Sequence, residues 1–187
     1  MSGRAPGHLE TLRSFINTLD IEQGTDAIAS PAGLRQWLTE AHLAPAGVRV
    51  LATDVAAARD LREALRAAAA ANHAGTSLPD DVLAVLNRVA DRADLAVRIT
   101  PDRQWRLLPR AAGVAGALGL LVALVIEAMS DGTWRRLKVC VNDACQWAFF
   151  DTSRTGTGKW CSMAICGNRA KQEAWRARRR SGSAPPQ

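Results

Sequence analysis

The residues able to do the most distinctive chemistry in this sequence are its four cysteines, all inside one 27-residue window from Cys140 to Cys166. They form two close pairs, Cys140/Cys145 and Cys161/Cys166, with four residues inside each pair and fifteen between the pairs. Two close pairs joined by a loop is how one chain delivers four thiolates to a tetrahedral zinc ion. Two other readings compete. Disulfides would suit a secreted protein, but residues 1–4 lead straight into a polar, amphipathic stretch with no apolar leader region, so a reducing, cytoplasmic setting is expected. Four buried thiols used only as small hydrophobes would not be confined to one window. One zinc held by Cys140, Cys145, Cys161 and Cys166 is therefore expected. Four cysteines leave no open position for water, so the ion is structural rather than catalytic.

The residues after the last cysteine give the site a purpose. Cys166-Gly167-Asn168-Arg169 continues as AKQEAWRARRR, a helix-forming run with Arg169, Lys171, Arg176, Arg178, Arg179 and Arg180 against the single acid Glu173. Residues 134–180 carry a net charge of +8, whereas residues 1–133 carry −2. All excess positive charge thus lies on the cysteine module, which is the footprint of a surface for phosphates. Arg154 and Lys159, in the loop between the cysteine pairs, extend the same basic set. The expected nucleic-acid contacts are these two and the six cations of the last helix. Arg169 has two candidate roles, contact with DNA or bracing of the zinc knuckle, and Asn168 is expected to cap or orient that knuckle.

The run WCSMAICGNRAK, preceded by FFDTSR and the first cysteine pair, resembles the CGNR-type zinc finger, named for the residues found here at 166–169. That family places its finger behind a helical domain called ABATE, to which FINTLD (15–20), LRQWL (34–38) and ARDLREALR (58–66) are similar. The resemblance covers nearly the whole chain and implies a stress-induced transcription regulator. Gly158-Lys159 stands where the family pattern has two Arg before Trp-Cys, one positive charge fewer.

A length of 187 residues allows one domain plus a small module, and a 48% hydrophobic content suffices for a core. Three modules are expected: a helical domain over 1–132, the finger over 133–180, and a disordered tail over 181–187. The helical part and the finger are expected to have separate cores. The fold class is mainly α, with one short β-hairpin in the helical domain and a treble-clef-like finger made of a β-hairpin and the basic helix.

Positioning those elements falls to the preceding 130 residues. Leu9, Leu12, Phe15, Ile16 and Leu19 recur at helical spacing and predict a helix over 8–20, with Asn17 near its end as a C-cap. Ser30-Pro31 opens a second helix as N-cap and first residue. A third runs from about Ala46 to Asn72; on it Arg59, Arg62 and Arg66 with Glu63 predict a solvated, salt-bridged face. Ser77-x-x-Asp80 starts a fourth. Alternation at Leu95, Val97, Ile99 and then Trp105, Leu107 predicts a hairpin.

Residues 111–126 are sixteen uninterrupted apolar residues, shorter than the roughly 20 a membrane span needs. They predict a buried central helix and no membrane partner. Gly113, Gly116 and Gly119 make a thin strip beside which a small ligand could sit. Beyond the hinge at Ser130–Gly132, Trp134–Val139 and Gln146–Phe150 are expected strands, and Ser162 caps the last helix. Trp147, Trp160 and Trp175 are expected in the core of the small module.

The function these readings favour is a DNA-binding transcription regulator whose helical domain senses a ligand or forms a homodimer. The alternatives are an adaptor finger for RNA or an acidic protein, and a thiol redox sensor. An enzyme is not expected, since His8, His42 and His73 are scattered and no nucleophile–base pair, phosphate loop or carboxylate cluster is present.

Overall fold

The computed structural model describes residues 5–181. Its first helix, α1 (Gly7–Ile16), buries Leu9, Leu12, Phe15 and Ile16 as their spacing requires. It stops short of the predicted end at 20. Asn17 takes the C-cap, and Leu19–Asp20 (β1) pairs antiparallel with Thr25–Asp26 (β2). Local polar chemistry outcompetes the helix here: the Asp20 carboxylate accepts the Gln23 N–H at 2.9 Å, and Gly24 supplies a φ of 67°.

α2 (Pro31–Glu40) begins as expected, with Ser30 Oγ accepting the Gly33 N–H at 3.1 Å. α3 (Ala52–Ala74) starts later than the predicted Ala46. The residues before it are extended, because Val48 and Val50 are buried there and the Asp54 carboxylate accepts the Leu51 N–H at 2.8 Å, setting the first turn. Gly75, left-handed at φ 66°, ends α3. α4 (Asp80–Ala93) has Pro79 at its N-cap, no side-chain cap, and Asp80 and Asp81 in its first turn, where the helix dipole favours acids. The hairpin follows as β3 (Leu95–Ile99) and β4 (Trp105–Pro109), in register Val97 to Leu107 and Ile99 to Trp105.

α5 (Gly113–Ser130) is the centre of the bundle, packed against α1, α3, α4 and β4. By length and composition it could cross a membrane, yet Val114, Ala117, Leu118, Leu121, Val122 and Val125 are buried among the other helices. Two of the three strip glycines face no free space. A Cβ on Gly119 would fall 2.2 Å from Ala93 Cβ, and one on Gly116 would fall 2.2 Å from the Ala111 carbonyl. Beside Gly116 and Gly119 the space is therefore taken by the chain leading into α5 and by α4, while nothing lies within 4 Å of a Cβ on Gly113.

After a 3-10 turn at Trp134–Arg136, β5 (Leu137–Val139) pairs with β6 (Ala148–Phe150), both shorter than predicted. A π-turn at Met163–Gly167 then leads into α6 (Asn168–Ser181). Ser162 precedes this turn without making a side-chain cap. Apart from Ser181, which ends α6, the expected disordered tail lies outside the described residues.

The expectation of separate cores fails. Trp134, Leu137, Val139 and Ala148 belong to the same buried cluster as the apolar faces of α1, α3 and α5. A two-stranded ribbon cannot cover its own apolar face, so it borrows the helices. The same packing overturns the solvated face predicted for α3. Arg62 and Arg66 are only 3% and 5% exposed, because the β1–β2 ribbon and the β5–β6 hairpin lie over them. Arg62 donates to Asp26 Oδ1 at 2.7 Å, to Glu63 at 2.8 Å and to the Thr18 hydroxyl at 3.3 Å. Burial works against the Asp26 carboxylate, but Arg62 and Arg59 outweigh it and hold its pKa below the usual range.

Candidate metal centre and the basic helix

The first cysteine pair is shaped by a knuckle between β5 and β6. The Asn142 carbonyl accepts N–H groups from Cys145 at 2.8 Å and Gln146 at 3.0 Å, while Asn142 Oδ1 accepts from Ala144 at 3.0 Å. Cys140 N–H closes the knuckle on the Trp147 carbonyl at 3.0 Å. The second pair is brought alongside by a bond from Val141 N–H to the Lys159 carbonyl at 3.1 Å. All four sulfurs then lie within 4.8 Å of one another, with Cys145–Cys161 at 3.6 Å and Cys161–Cys166 at 3.7 Å. A tetrahedral ion with bonds of about 2.3 Å to sulfur sets its ligands about 3.8 Å apart, whereas a disulfide would need about 2.05 Å. The four cysteines are free thiols at a zinc spacing, and theirs is the only such ligand group among the described residues.

The electrostatics point the same way. Burial and the neighbouring Cys140 and Cys145 push the Cys161 thiol far up, and burial with hydrogen bonds from the Cys166 thiol to Cys140 and Cys145 pushes Cys166 up to about 11. Cys140, although buried, is held below the ordinary thiol value by the N–H groups of Cys161 and Asn142. Four thiolates cannot share this space without a divalent cation, and a cation that binds must displace protons. One zinc, structural because all four positions are filled by sulfur, fits the site.

Each residue of the CGNR run has a physical role. Cys166 is a ligand candidate. Gly167 leaves room that a side chain would take: a Cβ there would lie 2.9 Å from the Met163 thioether and 3.3 Å from the Trp160 ring. Asn168 Nδ2 donates to the Ala164 carbonyl at 3.1 Å, holding the π-turn as expected. Arg169 does something the sequence did not suggest. Its guanidinium pairs with Glu22 at 2.7 Å, tying the start of α6 to the β1–β2 turn.

The loop carrying Arg154 and Lys159 is set by a buried ion pair that sequence reading missed. Lys138 and Asp151 are 3% exposed each and meet at 2.9 Å. Asp151 also accepts N–H groups from Ser153 at 3.0 Å and Gly158 at 2.8 Å, and Lys138 donates to the Gly156 carbonyl. Burial opposes the Asp151 charge, yet these donors win and hold its pKa well below the carboxylate range. Gly158 belongs to this arrangement, since a Cβ on it would fall 2.8 Å from Asp151 Oδ1. Arg136 completes it by donating to the carbonyls of Asp151 at 2.9 Å and Ser153 at 2.6 Å. Arg154 and Lys159 are both exposed on the resulting loop.

The finger's scaffold is gripped from the helical side. Asn17 Nδ2 donates to the Ala148 carbonyl at 2.9 Å and its Oδ1 accepts the Ala148 N–H at 2.8 Å, as a neighbouring strand would. The predicted C-cap position is correct, but the side chain serves the finger. Arg66 donates to the Gln146 carbonyl at 2.7 Å and the Ile16 carbonyl at 2.8 Å; Asn72 donates to the carbonyls of Trp134 at 2.8 Å and Leu137 at 3.0 Å. The C-cap reading accounted for Asn17 without a distant partner, and Arg66 carried no signal, because a helix-surface Arg looks the same whether covered or not.

α6 differs from everything else. From Lys171 to Arg180 every side chain is exposed, and its extensive packing is confined to the π-turn it grows from. Trp147 and Trp160 are half-buried against the cysteines, but Trp175 is 52% exposed, so the expectation that it sits in the core is corrected. Arg179 instead lies 4.8 Å from its ring centroid. The three histidines do not join the centre: His42 is exposed, His73 lies on α3, and His8 sits 3.6 Å from Asp131.

Comparison with known proteins agrees with this architecture. The family model ABATE, whose description is "Putative stress-induced transcription regulator", matches residues 12–132. The model for the CGNR zinc finger matches residues 136–179. Neither describes an enzyme. No curated protein matches the chain. The chain belongs to the ABATE family and carries a CGNR zinc finger behind the ABATE domain.

Proposed function

We propose that α6 and the loop 152–159 bind duplex DNA, making the protein a transcription regulator whose helical body holds and orients the finger. The observation that carries this reading is α6 itself. A 14-residue helix, polar all round and exposed from Lys171 to Arg180, gains almost nothing from burial in this chain. Such a helix needs a partner to stabilise it, and its charge selects a polyanion. Exposure of Arg154, Lys159, Lys171, Arg176, Arg178, Arg179 and Arg180 supports phosphate contact at each.

Helical spacing sorts these cations. Lys171, Trp175 and Arg179 recur every fourth residue with Arg178 beside them, whereas Arg176 and Arg180 share the flank of Arg169, which is turned to Glu22. The first stripe is the one we assign to the groove, with Arg169 holding the helix in place rather than touching DNA. For the helical body, the exposed apolar side chains of Val97, Ile99 and Trp105 on one face of the hairpin support a homodimer contact. A cytoplasmic location follows from a DNA target.

Binding of full-length, zinc-loaded protein to duplex DNA, followed by fluorescence anisotropy against salt, tests the reading. With about five to six cations engaged, the log–log slope is expected to be roughly −4 to −5. Replacing Arg154, Lys159 and Arg180, which lie outside the groove stripe, together by Ala should weaken all sequences alike and flatten the slope. Lys171→Ala should cost about 1–3 kcal/mol on a preferred site and much less elsewhere if it reads a base. Equal losses on specific and random duplexes for every substitution would overturn the regulator reading, and absence of DNA binding would favour the adaptor for RNA or an acidic protein.

A further inference from the structure

The four cysteines are not equivalent. Cys140, Cys145 and Cys166 are buried to 2%, 8% and 1% exposure, while Cys161 is only half-buried. Cys161 also lines both solvent-open cavities that flank the centre. One, of about 250 Å³, lies between the loop and the π-turn, with Asp151, Ser153, Gly158 and Met163 in its wall. The other, of about 280 Å³, lies against the β1–β2 turn, with Asp20, Glu22 and Trp147. Cys145 and Cys166 edge the second cavity but present almost no surface to it. A reagent small enough to enter either cavity reaches Cys161 before the more deeply buried Cys140, Cys145 and Cys166.

The two sides of the centre are held by different means. Cys140 and Cys145 sit on the hairpin gripped by Asn17, Arg66 and Asn72. Cys161 and Cys166 sit on the segment that leads into α6, which is joined to the rest of the molecule by the Arg169–Glu22 pair, by the backbone bond from Val141 to Lys159, by the bond from Gly158 to Asp151 and by the ligand cluster. An ion held by the four sulfurs would tie Cys166, at the start of the basic helix, directly to the hairpin.

We propose that Cys161 is the oxidisable ligand of this centre, and that its oxidation by a small hydroperoxide unfastens α6 from the body. The Cys161 thiolate attacks the distal oxygen of the peroxide. An S–O bond forms, the O–O bond breaks, and the alcohol or water leaves, giving a sulfenic acid. The sulfur of Cys145 or Cys166, 3.6 and 3.7 Å away, then attacks the Cys161 sulfur, forming a disulfide as hydroxide leaves and is protonated to water. Two thiolates have supplied the two electrons that reduce the peroxide. Two sulfurs are left for the ion, too few to hold it. The consequence for DNA rests on the function proposed above; the reactivity of Cys161 does not.

The test uses the full-length, zinc-loaded protein with limiting hydrogen peroxide and, in parallel, limiting N-ethylmaleimide. Peptide mass spectrometry reads the order of modification and a chromogenic chelator reads zinc release. Cys161 is expected to react at least about tenfold faster than Cys140. The only early disulfides should join it to Cys145 or Cys166, with one zinc released per disulfide, and α6 amides should lose exchange protection while β5 and β6 keep theirs. Cys161→His, which keeps a nitrogen ligand for zinc, should retain the ion and resist peroxide. If that variant does not fold, the modification order in the unaltered protein decides alone. Equal rates at all four cysteines, early disulfides that exclude Cys161, or zinc retained after stoichiometric peroxide would each overturn the proposal. Anisotropy on DNA in the same samples separates the two readings. Zinc release without any DNA binding in the reduced protein would sink the DNA reading alone, whereas DNA binding that survives full zinc release would sink the unfastening.

Discussion

β5 and β6 on one side of the metal centre, and α6 on the other, come from one sequence module yet stand in opposite surroundings. The strands have Leu137, Val139 and Ala148 in the core shared with α1, α3 and α5, and their carbonyls are satisfied by side chains of the helical body. The helix has a single apolar anchor of any size, Trp175, and that is exposed. The difference teaches that the boundary between the two sequence families is not an energetic boundary. Half of the finger is part of the helical fold, and the other half is joined to it by the cysteine cluster, the Arg169–Glu22 pair and a few bonds from the loop. A rigid platform carrying an exposed basic helix suits the DNA binding proposed above, because the platform sets where the helix starts.

The sharpest way to break this comparison is to remove the ion. Chelation, or Cys140→Ser, should abolish exchange protection throughout α6 and the loop 152–159 while leaving β5 and β6 protected by the core. Hydrogen exchange with peptide resolution measures it, and loss of protection in both halves together would show that the strands are not part of the helical fold. Acid should act in the same direction. Cys166, at about 11, and Cys161, pushed higher, are protonated in the metal-free site at neutral pH, so at least two protons must leave when zinc binds. Affinity should then fall about a hundredfold for each pH unit lowered. The Asp151 charge is no part of this window: a carboxyl held low contributes stability at all pH above the unfolded value and loses it only as pH falls through the folded one.

A smaller effect is expected at Arg66. Arg66→Ala strands the Gln146 and Ile16 carbonyls and leaves Glu63 with Arg62 alone, and should destabilise the whole fold by about 3 kcal/mol. Denaturation should remain one transition when followed by Trp fluorescence and by circular dichroism. Two separated transitions would restore the idea of independent cores.

The smallest of the three is at Asn17. Asn17→Ala removes both bonds to Ala148 and should cost about 2 kcal/mol, with zinc still bound. Asn17→Asp, which keeps the acceptor for the Ala148 N–H and loses the donor, should fall between. Chemical denaturation of the zinc-loaded variants measures both, and a neutral Asn17→Ala would mean that the pairing adds nothing to the docking.

What was legible in the sequence follows from what is local. The cysteine spacing alone specifies four sulfurs for one ion, since two short loops and a return segment can place them in few other ways. The helices α1, α2 and α4, the β3–β4 hairpin and the central position of α5 are all written in periodicity and in turn residues such as Ser30, Pro31 and Gly75. The basic character of α6 needs only its composition.

What tertiary structure decided is which polar groups are covered and by what. Arg59, Arg62 and Arg66 have the same spacing and the same neighbour, Glu63, yet only Arg62 and Arg66 are buried. The covering ribbon comes from residues 19–26 and the covering hairpin from 137–150, far away in sequence. The pairing of Asn17 with Ala148 and of Arg169 with Glu22 spans more than a hundred residues in each case, so no local signal could name the partner. Trp175 is the converse: its type predicts burial, and it is exposed because α6 packs extensively only on the π-turn it grows from. Side-chain chemistry and periodicity are properties of a segment. Desolvation belongs to the pair of surfaces that meet, and that exists only after folding.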